Sequence, residues 1–144
     1  MAFTPIIENA EAVVIGEQLT ATENAEPQTS RTYKLDFSRG RIGGFINGKE
    51  AIGQAILCIL QTERFAHLIY SWGYGFESDV IIGKGETVLK SEIGRLLNEA
   101  LTEDDRIDSI ENVKIEIIDK RTAAVSFTAV SILGEIPIAM EVNY

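Results

Sequence analysis

From Arg31 onward the apolar and polar positions of this chain follow periods that can be assigned. Tyr33, Leu35 and Phe37 alternate with Thr32, Lys34 and Asp36, the period of a half-buried strand. Ser38-Arg39-Gly40 predicts a turn. Ile42 to Ile46 predicts a second strand, in which Gly43-Gly44 implies a bulge or a close backbone approach. Asn47-Gly48 ends this hairpin and leads into a helix from about Lys49 to Gln61, because Ala51, Ile52, Ala55, Ile56, Ile59 and Leu60 fall at spacings of three and four. Gly83-Lys84-Gly85 punctuates the chain before a second helix. Its buried stripe is Val88, Leu89, Ile93, Leu96, Leu97, Ala100 and Leu101, with Lys90, Glu92, Arg95, Asn98 and Glu99 on the wet side.

The last third reads as strands. Val113, Ile115 and Ile117 alternate with Lys114, Glu116 and Ile118, and Asp119-Lys120-Arg121-Thr122 makes a polar turn. Ala123, Val125, Phe127, Ala129 and Ser131 form the returning face. Gly134-Glu135 offers a second tight turn, after which Ile136, Ile138, Met140 and Val142 complete a third strand. Pro137 has no ladder hydrogen to donate, so this strand is expected at an edge or with its proline on the free side. The fold class is therefore α+β: an N-terminal hairpin, two core helices and a C-terminal three-stranded antiparallel meander. Residues 32–144 are expected to form one domain, with residues 1–31 an extended or partner-ordered arm. Within that arm Ala12-Val13-Val14-Ile15 is an apolar patch, suited to an edge strand, to docking on a neighbouring subunit, or to folding back on its own domain.

Two stretches fit no simple period. Thr62 to Glu77 carries Phe65, Tyr70, Trp72, Tyr74 and Phe76, and so dense an aromatic run is expected to pack between the preceding helix and the following sheet. At its start Phe65 should turn inward, while Arg64 satisfies the last helical carbonyls or pairs with a carboxylate. Glu103-Asp104-Asp105 follows the second helix at the negative pole of its dipole, where carboxylates are unfavourable unless Arg106 or a partner cation compensates them. The cluster reads either as a binding site or as a solvated loop.

Composition narrows the function. A chain of 144 residues with 45% hydrophobic content is enough for one real core. A formal charge of −9 argues against nucleic acid and favours a basic partner surface. The apolar runs are far shorter than the roughly 20 residues of a membrane span, and no basic start precedes an apolar block, so no membrane partner and no export are expected. Cys58 lies on the apolar face of the first helix and reads as a buried small hydrophobe. His67 is the one histidine, which leaves no multi-histidine metal site and no obvious triad. Gly83-Lys84-Gly85-Glu86-Thr87 is too short for a phosphate-binding loop. Glu63, Glu77 and Asp79 are candidate carboxylates for glycoside hydrolysis, at the level of chance in so acidic a chain. No catalytic, cofactor or metal residue is assigned.

One resemblance adds to this. From Thr32 to Val142 the chain resembles the small tail proteins of PBSX-like prophages and, more remotely, the baseplate-wedge sheath-initiator family of contractile phage tails, type VI secretion and R-type bacteriocins. It is carried by Tyr33-Lys34-Leu35-Asp36, Gly44-Phe45-Ile46-Asn47-Gly48-Lys49-Glu50-Ala51, Thr62-Glu63-Arg64-Phe65 with Leu68-Ile69-Tyr70-Ser71-Trp72, and Asp104-Asp105-Arg106-Ile107. The wider family is similar in an acidic-Arg signature near the end of its first helix and an acid-Pro-Arg-Ile signature opening its final sheet. Here Asp105 replaces the proline.

The resemblance implies a structural, non-enzymatic baseplate protein without cofactors, assembled in the bacterial cytoplasm and then resident in the baseplate of a contractile tail particle. Glu63, Arg64, Asp104, Asp105 and Arg106 would contact baseplate wedge proteins. Ile136, Ile138, Met140, Val142 and Tyr144 would form the edge strand that the tail sheath protein extends. The arm would be free to reach tube or hub proteins. A peptidoglycan hydrolase, after the lysozyme label some relatives have carried, and a small ligand-binding domain are the alternative readings.

Overall fold

A computed structural model describes residues 30–144. The chain forms β1 (Thr32–Asp36), β2 (Arg41–Ile46), α1 (Gly48–Gln61), a short 3₁₀ turn (Ser78–Val80), α2 (Glu86–Leu101), β3 (Ile107–Asp119), β4 (Thr122–Ser131) and β5 (Gly134–Asn143). β1 and β2 make a two-stranded antiparallel ribbon, and β3, β4 and β5 make an antiparallel meander in that order. The architecture is the expected α+β arrangement of hairpin, two helices and three-stranded sheet.

The core lies between the helices and one face of the meander. Ile52, Ile56 and Ile59 of α1 and Leu89, Ile93, Leu96, Leu97 and Leu101 of α2 pack on Ala123, Val125, Phe127 and Ala129 of β4. In β4 every second residue is buried, as a strand with one dry face requires. Asn47 caps α1, its side chain accepting from the Gly48 amide at 2.8 Å. Cys58 is only half-buried, and desolvation pushes its thiol pKa up.

Four expectations need correction. First, the hairpin does not bury its apolar face in the core: Tyr33, Phe37, Ile42 and Phe45 are exposed, and Ile46 is the buried residue of β2. The contact with α1 is polar instead, since the Gln54 amide donates to the Tyr33 carbonyl and accepts from the Leu35 amide, both at 2.8 Å. Tyr33 and Phe45 stack on each other at 4.8 Å, with the Arg31 guanidinium 4.5 Å above the Phe45 ring. The expected bulge is present. The register shifts between Tyr33 and Leu35, and Gly44 in the facing strand adopts φ +67°.

Second, most of the aromatic run lies on the surface. Ile69 is 86% exposed, Trp72 82% and Phe65 54%, while Phe76 alone is fully buried. The space between helix and sheet is already filled by the α2 stripe together with Phe76 and Ile81. A short parallel bridge between Glu63 and Phe76 closes the segment at its base, so the residues between form an excursion. Third, Phe65 adopts φ +67°, so it turns outward rather than in. Fourth, the tip of the second hairpin is Ile132-Leu133, and Gly134 already pairs with Ser131 as the first residue of β5.

Candidate docking surfaces

Both acid-arginine signatures lie at the C-terminal end of α2. Arg64 leaves the end of α1 and is held on two sides: its Nη1 donates to Glu99 Oε1 at 2.6 Å and its Nε to the Trp72 carbonyl at 2.9 Å. Its side chain is only 13% exposed. Glu99 also accepts from Arg95 at 2.9 Å, and the Arg64 hydrogen bond holds its carboxyl below the usual glutamate range. Glu63, next in sequence, is exposed.

Asp104 and Arg106 form a bidentate pair, with Nε to Oδ1 at 2.8 Å and Nη2 to Oδ2 at 2.6 Å, and the Arg106 amide adds a bond to Oδ1 at 3.1 Å. The pairing with Arg106 draws the Asp104 pKa down, against the upward push of burial. The Ile107 amide donates to the Asp104 carbonyl at 2.9 Å, closing a turn in which Asp105 is the second residue. That is the position where a turn accepts proline most readily. The exposed Asp105 stands where the resemblance expects a proline, and the Asp104–Arg106 pair forms around it. Arg106 in turn fixes the start of the sheet, its carbonyl accepting from the Ile132 amide at 3.0 Å. Arg106 thus compensates one carboxylate of the 103–105 cluster and Arg64 compensates Glu99, while Glu103 and Asp105 form no ion pair among the described residues.

Ser71 and Tyr74 from the aromatic loop face Glu103, Asp104, Asp105 and Arg106 across a cleft of about 270 Å³. Gly73 sits directly against the Glu103 side chain, so a side chain at 73 would collide with it. The sequence allowed Arg64 a carboxylate partner but gave no sign that it is Glu99, which falls on the polar face of α2. Nor did it signal the outward course of Leu68, Ile69 and Trp72.

The second surface is the rim of β5. Its register with β4 is unbroken across ten residue pairs, from Thr122↔Asn143 to Ser131↔Gly134. Ile136 and Val142 are buried and Ile138 and Met140 half-buried, all on the core face. Their side chains are thus committed to the core, and what β5 offers a neighbour is its backbone. Pro137 sits opposite Thr128 in this continuous ladder, so its nitrogen, lacking a hydrogen, faces the free rim. By the two-residue alternation Ala139, Glu141 and Asn143 turn their N–H and C=O groups the same way. Tyr144 is tied back, its amide donating to the Arg121 carbonyl at 3.0 Å. The opposite edge, β3, is irregular: its pairing shifts in three places, and Asn112 at φ +54° marks one of the bulges.

Among the described residues no group of three or more His, Cys, Asp and Glu side chains is placed to hold a metal.

Residues 30–134 match the family model described as contractile injection system sheath initiator. The chain is also 42% identical over 120 residues to the phage-like element PBSX protein XkdS of Bacillus subtilis (strain 168), an alignment covering 81% of this chain and 79% of that protein. With the family model spanning most of the chain, and with identity at that level over four-fifths of it, this protein belongs to the contractile injection system sheath initiator family.

Proposed function

We propose that this chain, a structural component of a contractile tail, links the baseplate wedge to the sheath and starts sheath polymerisation by strand addition at β5. The supporting observation is the rim itself: a long, regular edge with outward backbone groups from Ala139 to Asn143, beside a proline that closes only one step of it. β3, broken by bulges, is a poorer template. An incoming sheath strand would gain main-chain hydrogen bonds at 139, 141 and 143, with Pro137 setting where pairing stops.

The acid-arginine region at the end of α2 faces the baseplate wedge in this reading, and residues 1–31 act as an arm toward tube or hub proteins. Ala12-Val13-Val14-Ile15 lies outside the described residues. The domain proper runs from 32 to 144. The protein is assembled in the bacterial cytoplasm and then resides in the baseplate, and no described helix is long and apolar enough to cross a membrane.

The role is non-enzymatic. Among the described residues the carboxylates with displaced pKa, Asp36, Glu99 and Asp104, are all displaced downward, away from the raised value a general acid needs. Ala139→Pro tests the mechanism, because it removes a rim N–H without removing a β4–β5 bond. The variant should fold and enter baseplates that carry no sheath. Normal sheath on such particles would refute strand addition at this edge.

A further inference from the structure

The loop from Phe65 to Trp72 presents an apolar surface that no described residue covers. Leu68 is fully exposed, and Ile69 and Trp72 nearly so. The loop is nevertheless held in shape. Arg64 grips the Trp72 carbonyl, Phe65 and Trp72 lie 5.8 Å apart in a tilted pair, and Tyr70 stacks on Tyr74 at 4.4 Å. Phe65, His67, Leu68, Tyr70, Ser71 and Trp72 line an open hollow of about 180 Å³. This is below the roughly 300 Å³ at which small-molecule pockets begin, and it suits a single large side chain from a partner.

The loop is flanked by acidic residues. Glu63 at the base of the loop and Glu103 and Asp105 on the turn it packs against are exposed, and none of the three forms an ion pair among the described residues. Arg64 and Arg106, the cations closest in sequence, are already committed to Glu99 and Asp104. A hollow walled largely by aromatic and aliphatic side chains, with unpaired carboxylates on the neighbouring turn and at the loop base, is complementary to an apolar side chain flanked by cations.

We propose that the 65–72 loop and the 103–105 turn form one docking surface for a partner protein. That partner inserts a large apolar side chain into the hollow beside Phe65, Leu68, Tyr70 and Trp72 and sets Lys or Arg against Glu63, Glu103 and Asp105. This rests on the reading of the chain as a tail component and refines its baseplate contact: the loop touches the partner, and Arg64 and Arg106 act as positioning residues behind it.

The test uses the full chain, supplied as variants to cells whose tail particles lack it, with the amount in purified particles measured by quantitative mass spectrometry. Ile69→Asp and Leu68→Asp should each leave the melting temperature of the purified chain unchanged and lower its incorporation at least tenfold, while Ile69→Leu incorporates normally. Glu103→Lys with Asp105→Lys should also lower incorporation at least tenfold. Incorporation of both aspartate variants at the wild-type level overturns the proposal. It is overturned as well if iodide fails to quench Trp72, the single tryptophan, in the isolated chain, since another part of the chain then covers the loop. A concentration-dependent dimer abolished by Ile69→Asp would assign the surface to a second copy and overturn it too. Ala139→Pro run in parallel separates the two readings. If it incorporates but gives no sheath while the loop variants incorporate normally, only the docking surface fails; if the wild-type chain is absent from particles, the tail role fails with it.

Discussion

Arg64 Nη1 meets Glu99 Oε1 at 2.6 Å across 35 positions of chain, joining the end of α1 to the last turns of α2 while the same guanidinium holds the Trp72 carbonyl. One nearly buried side chain thus fixes both the helix pair and the aromatic loop. Replacing it by alanine leaves the Trp72 carbonyl without its side-chain donor and Glu99 with Arg95 alone, a loss of about 1–3 kcal/mol. Chemical denaturation of Arg64→Ala should show that loss, and hydrogen exchange should quicken for residues 65–74 ahead of the helices. Arg64→Lys should recover only part, since an ammonium cannot reproduce the fork. Unchanged exchange in the loop would separate Arg64 from its shape.

Gly75 is the other fixed point. Its φ is +110°, and a β-carbon there would stand 2.8 Å from the Thr62 carbonyl oxygen and 2.9 Å from the Arg64 nitrogen. Backbone on both sides leaves no flexible group to yield. Gly75→Ala should destabilise the fold by about 1–3 kcal/mol and break the Glu63–Phe76 bridge. Gly94→Ala, at a helical position with open space around it, is the control and should be neutral or slightly stabilising in a thermal melt.

The Asp104–Arg106 pair makes stability depend on acid in a defined direction. The folded-state pKa of Asp104 lies below its ordinary value, so its contribution is complete above the unfolded value of about 3.9 and is lost as pH falls through the lower folded value. Asp36 and Glu99 are shifted the same way. The urea midpoint should accordingly change little between pH 7 and about 5 and fall below about 4. Asp104→Asn should be less stable at pH 7 with a shallower fall in acid. A slope as steep as the parent's would assign the acid sensitivity to other groups.

Pro137 guards the rim. Giving that position an N–H removes the one break in the row of outward groups on β5, and regular edges of this kind pair with one another. Pro137→Thr should leave the circular dichroism spectrum intact but shift sedimentation toward dimers or larger species at high concentration. Met140→Pro, whose nitrogen by the same alternation faces β4, should instead destabilise the sheet by about 3 kcal/mol or more.

The meander, both helices and the edge position of β5 were legible in the sequence because each is written in a short-range period. β4 alternates strictly, the α2 stripe recurs at three and four, and Pro137 has one kind of place in a sheet. The surface course of the aromatic run was not legible. Composition records that Leu68, Ile69 and Trp72 are apolar, but whether they are covered depends on how much room α1, α2 and the sheet leave. The two acid-arginine pairs divide the same way. Asp104 and Arg106 are two residues apart and close their own turn, so local chemistry determined that pair. The partner of Arg64 lies on the polar face of a helix 35 residues away, and only the packing of α1 against α2 brings Glu99 within reach of it. Periodicity determined which residues face inward along each element. The tertiary structure decided which element ends meet, because a finite core admits one set of side chains and excludes the rest to the surface.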